Sequence, residues 1–544
     1  MGAHRQGERA SRQRREVTTG SPVRRTAKWA AAFLVAALLF FLATLPAAPV
    51  RISLDHVDPS LRARTVAGAY HVHTARSDGA GDKTSVAQAA ARTGLQFVIF
   101  TDHGDGTRPP DPPQYLHGVL CIDGVEISTN GGHYVALGLP LTPYPLGGEA
   151  AAVVEDVARL GGFGIAAHPD HQRPALAWKD WDAPIDGIEW LNADAEWRDE
   201  SGRALARLAL AYFVRPGPAM ASTFDRPSAT LDRWDQLSRR RRVVALAAVD
   251  AHGGARTRRA DEGPARGGIG PSYDASFAAV SNRVLLERPF TRDASQDSSL
   301  LLAAIRRGDV YSVVDAISPD VVLNVAAPVL TWTSPTELQT SVEPIADGEQ
   351  QRLEVNAARA PGHPPVPWIL TNWLGTPPAA VMPVVPLLGD PVPLTVSSAW
   401  RVENDPESSG RVSGAESLVT LDYRLAGGQR RSQFVAAAAD LIPKGSFDTL
   451  AFRARASQPM RVSVQLRFRP DDRRWIKSIY LDPRDRDVMI PLKEMRSAEA
   501  GDAPMPAIGT ARSLLLLVDL VNSVPGASGS FTISNLRASV STTR

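Results

Sequence analysis

Residues 65–79 read Thr-Val-Ala-Gly-Ala-Tyr-His-Val-His-Thr-Ala-Arg-Ser-Asp-Gly, and this stretch decides the fold. Val66–His71 is a short apolar run of the kind that forms a strand buried on both faces. It ends in His71 and His73, one residue apart, with Asp78 following in a Ser-Asp-Gly turn. In an extended segment, side chains two apart point the same way, so the two imidazoles can reach one metal ion.

The same sentence is written again along the chain. Phe97–Thr101 leads into Asp102 and His103, and Gly118–Ile122 leads toward Glu126. His133–Leu139 opens on a histidine, Gly164–Ala167 ends at His168-Pro-Asp170-His171, and Val243–Val249 ends at Asp250-Ala-His252. Gly187–Leu191 is a further apolar run. Helical stretches lie between the runs: Lys83–Thr93, Glu149–Leu160, Ser201–Phe213 and Ser228–Ser238. Strand-helix alternation over about 250 residues reads as an α/β barrel or a doubly wound sheet. In an α/β barrel, functional residues come from the C-terminal ends of several strands, so these groups are expected to converge at one rim. Eight of the chain's eleven histidines lie between His71 and His252, a third of its length. Imidazole and carboxylate donors without thiolate suit Zn, Mn or Fe.

The ordered set HVHTARSDG, FTDHG, GVEIS, GGHYVALG, AAHPDH and VDAHGG resembles the polymerase and histidinol phosphatase (PHP) family of metal-dependent phosphoesterases, over residues 65–318. The resemblance implies a distorted (β/α)7 TIM-like barrel with two or three divalent cations. It implies that His71, His73, Glu126 and Asp250 bind a first metal, that Glu126 bridges to a second completed by His133 and His168, and that Asp78, His103 and His252 hold a third. It also implies that the cations supply hydroxide near neutral pH for hydrolysis of a phosphate monoester or diester on a small substrate. Candidate general acids are His171 and Asp102, the latter alternatively an orienter of a ligand imidazole. Arg173 and Arg258 are candidate phosphate holders; Arg258 lies in the Arg- and Gly-rich stretch 253–270, which reads equally as a solvated loop. Arg239–Arg242 reads as a solvated helix end, and Trp178, Trp181, Trp190 and Trp197 as core or rim packing, with one or two free to wall a pocket.

Outward from the barrel, residues 1–28 form a basic arm with seven arginines and Lys28 against two glutamates, and 29–50 is apolar. At 1.5 Å per residue that segment spans a bilayer core of about 30 Å. The positive-inside rule predicts a single-pass anchor with a cytoplasmic N-terminus and an extracytoplasmic catalytic body. A cleaved signal peptide is the alternative, disfavoured by Pro46 and Pro49. Residues 320–398 are rich in proline and read as a small β module; its segment Pro367–Asn372 is similar to a module that follows the barrel in some secreted bacterial PHP proteins. Alternating segments such as Arg461–Phe468 predict a β-sandwich over 400–544, weakly similar to galactose-binding jelly rolls, which serve either as glycan binders or as structural caps.

Whole-chain numbers bound the rest. The length of 544 residues implies about three to five domains. A formal net charge of +2 argues against nucleic-acid binding driven by bulk charge, so no such partner is predicted. Cys121 is the one cysteine, which excludes an intramolecular disulfide and a thiolate zinc cage. Two rival readings stand beside the phosphoesterase. One is an amidohydrolase-like enzyme acting at carbon, whose barrels typically use a metal-bridging lysine; the barrel region has only Lys83 and Lys179, neither at a strand end. The other is an envelope glycan-binding protein with a structural metal cluster.

Overall fold

The computed structural model describes residues 22–55, 57–254, 270–325, 340–347, 350–357, 366–375, 387–392, 394–396, 399–415, 418–428, 432–443, 446–499 and 503–542. The chain forms two compact units, divided between Ala47 and Ala48. Among its described residues the first has one helix, α1 (Pro22–Thr44), whose 26–44 stretch is long and apolar enough to cross a membrane or to act as a signal sequence. It starts before the expected Trp29, taking in Arg24, Arg25 and Lys28, and stops ahead of Pro46 and Pro49, which cannot continue a helix.

In the second unit, α2 (Pro59–Arg64) leads into β1 (Thr65–Val72), which is followed by α3 (Lys83–Arg92) and β2 (Phe97–Phe100). Asp82 caps α3 by accepting from Ser85 N, and the chain leaves it at Gly94, whose φ of +81° suits glycine. Next come β3 (Gln114–Leu116), β4 (Val119–Thr129), β5 (Gly132–Leu137), α4 (Ala150–Arg159), β6 (Phe163–Ala166) and β7 (Gly187–Asn192). Helices α5 (Ala193–Arg198), α6 (Gly202–Tyr212), α7 (Pro216–Ala221) and α8 (Ser228–Ser238) then lead to β8 (Val244–Ala248). After them come α9 (Tyr273–Phe277), β9 (Ser281–Leu285), α10 (Ala294–Arg307) and β10 (Val310–Val313).

Seven strands run in the order β1-β2-β4-β5-β6-β7-β8. The pairs β1–β2, β2–β4, β6–β7 and β7–β8 are parallel, whereas β5 is antiparallel to both neighbours. The predicted alternation is therefore broken: β4 and β5 form a hairpin, and no helix follows β2, β4 or β6. Beyond β8 the chain returns to β1. Val249 N donates to Tyr70 O (3.1 Å), Ala251 N to His71 O (3.3 Å) and His73 N to Ala251 O (3.0 Å). Val66, Tyr70, Ile99, Leu120, Ile122, Val135, Ile165 and Leu246 pack in one buried apolar cluster drawn from six of these strands.

The other edge of β1 pairs antiparallel with β9, and the sheet continues through β10 into β13 (Val366–Thr371), β12 (Gln350–Ala357) and β11 (Thr340–Asp347). The described strands of 320–398 are thus shared out. Three extend the sheet that contains β1, while Leu387–Val392 and Leu394–Val396 pair with the C-terminal strands. Val355, Trp368 and Ile369 belong to the same apolar cluster as Ala69 and Ala247.

The outer edge of β8 is closed by side chains. Asn282 accepts from Ala247 N (3.0 Å) and donates to Ala247 O (2.7 Å). Asn372 accepts from Ala245 N (2.7 Å) and donates to Ala245 O (3.0 Å) and Val310 O (2.9 Å). The two carboxamides stand in for a paired backbone.

The C-terminal strands form two antiparallel sheets around one apolar cluster, as in a sandwich. One has Ser528–Thr542 at its centre, and the other has Ala511–Asp519. The second sheet docks on α4. Arg461, 1% exposed, donates to Asp156 (2.7 and 2.8 Å), Glu155 (2.7 Å) and Ala152 O (3.0 Å). Lys477 and Ser478 N both reach Glu149, and Arg159 covers the Tyr480 ring.

Replacing Asn372 with Ala strands Ala245 N, Ala245 O and Val310 O. Stability is expected to fall by about 3 kcal/mol. Urea denaturation of the full chain in detergent checks this, and an unmoved midpoint would show that the edge needs no side-chain partner.

Candidate metal centre

The strand ends are not regular. The β1–β2 register jumps between Tyr70 and Val72, and His71 between them has φ +65°. His168 (φ +30°) and Asp250 (φ +45°) also lie in the region that non-glycine residues avoid. Such conformations cost about 1–3 kcal/mol each and persist where surrounding structure enforces them. A local twist in β1, rather than plain two-residue alternation, therefore aims His71 and His73 at one point.

His71 Nε2 and His73 Nε2 lie 3.1 Å apart. Glu126 Oε2 is 3.3 Å from the first and 3.2 Å from the second, and Asp250 Oδ1 is 3.5 and 3.2 Å from them. Four ligand atoms about 2.0–2.1 Å from a tetrahedral cation stand about 3.3–3.4 Å from one another. Asp250 Oδ1 is buried without a hydrogen-bond donor, and Glu126 is 1% exposed. The donor set and its spacing fit a divalent ion.

The other oxygen of Glu126 faces a second group: Oε1 is 2.7 Å from His133 Nδ1 and 2.9 Å from His168 Nε2. Asp78 Oδ2 approaches His252 Nε2 (3.3 Å) and His103 Nε2 (3.5 Å), and His103 Nδ1 lies 3.2 Å from Glu126 Oε2. All nine expected ligand residues thus form one connected network, within which four triads are spaced to hold an ion.

The electrostatics call for positive charge. Burial opposes ionisation of Glu126, yet His71, His133 and His168 hold its carboxyl well below the usual range. Burial likewise opposes, and His71 and His73 enforce, a lowered Asp250. Burial disfavours a charged His73, but Asp250 and Glu126 push it up to about 10. Protons and a metal ion compete for the same ring nitrogens.

Sequence reading missed the groups that orient the cage. Glu189 Oε1 accepts from His71 Nδ1 at 2.6 Å, which turns Nε2 toward the cage, and its Oε2 accepts from His168 N (2.8 Å). Asn192 donates to Glu189 Oε2 (2.9 Å) and Asp250 Oδ2 (3.1 Å). The available signal was a lone acidic residue inside the apolar run Gly187–Leu191, since a buried charge needs a partner. Tyr273 is the other: its hydroxyl donates to His73 O (2.8 Å), and its ring packs where a Cβ on Gly253 (φ +67°) would sit, 2.1 Å away.

The remaining expected residues divide. Asp102 accepts from Thr74 N (2.7 Å), Thr74 Oγ1 (2.8 Å) and Ser77 Oγ (2.8 Å), so it braces the turn after β1. His171 is half-buried beside His168, and its Nδ1 accepts from Arg173 N (2.9 Å). Arg173 is exposed, and Arg258 lies outside the described residues. Trp178 and Trp190 are core. Trp197 lines a small recess together with Arg198, Asp250 and His252. Arg239 pairs with Asp347, while Arg241 and Arg242 donate to backbone carbonyls of Ile185 and Arg307.

Neither a protein-family model nor a curated protein matches the chain. Among solved structures, a candidate metal-dependent phosphoesterase of Bifidobacterium adolescentis aligns at 13% identity over 38% of this chain and 93% of its own, with a TM-score of 0.23. A family 11 carbohydrate-binding module of Clostridium thermocellum, in complex with a β-1,3-1,4-mixed-linked tetrasaccharide, aligns at 12% identity over 27% of this chain and 91% of its own, with a TM-score of 0.21. Likenesses this distant carry no argument about activity.

Two measurements check the centre. Glu189→Gln is expected to weaken metal affinity by about 10–100-fold, read by competition with a chelating dye. Metal uptake near neutral pH is expected to expel protons, because His73 must surrender its own, and affinity should fall as pH is lowered. Calorimetry in buffers of different ionisation enthalpy reads this, and proton-free binding would contradict it.

Proposed function

We propose that this chain is a metal-dependent hydrolase of phosphate esters. The observation that carries this reading is the Glu126-centred network, in which imidazole and carboxylate groups from six strands meet within reach of one another. His71, His73, Glu126 and Asp250 would hold one ion, Glu126, His133 and His168 a second, and Asp78, His103 and His252 a third. When bound, such ions lower the proton affinity of water and offset charge on phosphoryl oxygens.

The protein's own groups do the rest. Glu189 and Asn192 fix the first cage, and Asp102 holds the turn that carries Ser77 and Asp78. With Nδ1 occupied by the Arg173 N–H, His171 keeps Nε2 for proton transfer to a leaving group. Arg198, lining the recess beside Asp250 and His252, is positioned to receive a phosphate oxygen. We read the strand path as the distorted seven-stranded barrel and the helix α1 as an anchor that leaves the hydrolase extracytoplasmic. Against carbon-centre chemistry with a bridging lysine, Lys83 is held by Asp111 and Asp123, and Lys179 is exposed.

The test is hydrolysis of chromogenic phosphate mono- and diesters with Mn, Zn or Fe supplied. Metal-dependent turnover is expected, abolished in His71→Ala/His73→Ala. Stoichiometric metal binding with no turnover on either ester class would overturn the phosphoesterase reading. An active C-terminal alkaline-phosphatase fusion is expected if the body is exported.

A further inference from the structure

Helix α6 has the composition of a buried helix in an exposed place. From Gly202 to Val214 the charged residues are Arg203 and Arg207 alone. Its inner side is ordinary: Leu208 and Tyr212 pack on the core, and Ala211 is buried. Its outer side is not. Leu210 is 60% exposed, and just past the helix end Phe213 is 89% and Val214 51% exposed. At 100° per residue Arg203, Arg207 and Leu210 share one face, and Phe213 and Val214 continue it at the C-terminal end. Neither arginine has an ion pair among the described residues. Exposed apolar side chains with unpaired arginines beside them offer the two attractions that hold a segment at a membrane interface, apolar area to bury and positive charge toward anionic lipid.

A second observation points to the same partner. The 26–44 stretch of α1 is apolar enough to enter a bilayer, and five residues, Leu45–Pro49, join α1 to Val50, whose N–H donates to Ile317 O at 2.8 Å. Five residues reach about 18 Å when fully extended. Where α1 enters a bilayer, a tether of this length keeps that bilayer within reach of the rest of the chain.

We propose that the outer face of α6, with Phe213 and Val214, rests on an anionic phospholipid bilayer: the apolar side chains enter the interface and Arg203 and Arg207 meet lipid phosphates. This contact bears on the metal cage. Tyr212 Oη accepts from Ser272 N (2.7 Å) and lies 3.0 Å from Ser272 Oγ; Ser272 caps α9, whose Tyr273 donates to His73 O. The proposal is independent of which ester the site cleaves.

The test uses the full chain in lipid nanodiscs. Cys121 is buried, so Phe213→Cys takes a polarity-sensitive fluorophore selectively. The label is expected to be quenched by brominated acyl chains when phosphatidylglycerol is present, less so in phosphatidylcholine alone, and to lose quenching in Arg203→Glu/Arg207→Glu. A label at Leu418→Cys, an exposed apolar position on the sandwich, should stay unquenched. Co-elution with the disc reports anchoring by α1 separately. An unquenched Phe213 label overturns the proposal, and equal quenching in both discs overturns the anionic partner. A label that shifts with protein concentration in detergent, without quenching by lipid, shows that a second copy of the chain covers the patch instead, and also overturns it.

Discussion

Glu126 has two oxygens, and different imidazoles claim each of them. A carboxylate buried this deeply persists only where positive charge surrounds it, because desolvation alone would force it neutral. The structure meets that demand with five imidazoles from four strands. His71 and His73 arrive from β1, His103 from beyond β2, His133 from β5 and His168 from beyond β6. The turned backbones at His71, His168 and Asp250 are consequences of the same demand. Each is an unfavourable local conformation held because the interactions at the centre, and the strands behind them, outweigh it.

The sandwich is bound to this arrangement through α4. Arg461 is buried against Asp156 and Glu155, and both carboxylates stand on a helix that packs on the strands carrying His133 and His168. Pairs of this kind add little net stability, but breaking one leaves an uncompensated buried charge. They fix one docking geometry. The sandwich's own aromatics among the described residues are buried or partly covered, Trp475 and Phe468 inside and Tyr480 under Arg159, so these rings serve packing.

Much of the site was legible because chemistry-bearing residues interrupt apolar runs at their ends. His71, His103, Glu126, His168 and Asp250 each follow buried β residues, and the predicted strands agree with those observed to within a few residues at most ends. What escaped was set by tertiary contact. Nothing in the spacing of His71 and His73 announces a register jump, and two-residue alternation offers the right convergence for an incomplete reason. Glu189 was visible as an anomaly but not as a partner of a residue 118 positions away. The stretch 320–398 looked self-contained because its prolines and short alternating runs carry no mark of the sheet they join.

Asn282 and Asn372 have a consequence for how the molecule is made. The strand that carries Asp250 and His252 into the centre has its outer edge completed by a residue 127 positions beyond its own Ala245. During synthesis that strand emerges early and waits with an open edge until residue 372 has left the ribosome. At about 5–20 residues per second this interval lasts on the order of ten seconds. Throughout it, β8 offers unpaired backbone groups to any other extended chain. The strands that carry the histidine and carboxylate cluster and the β strands after them are therefore one folding unit, and the order of the chain makes that cluster among the last parts of its half to become secure.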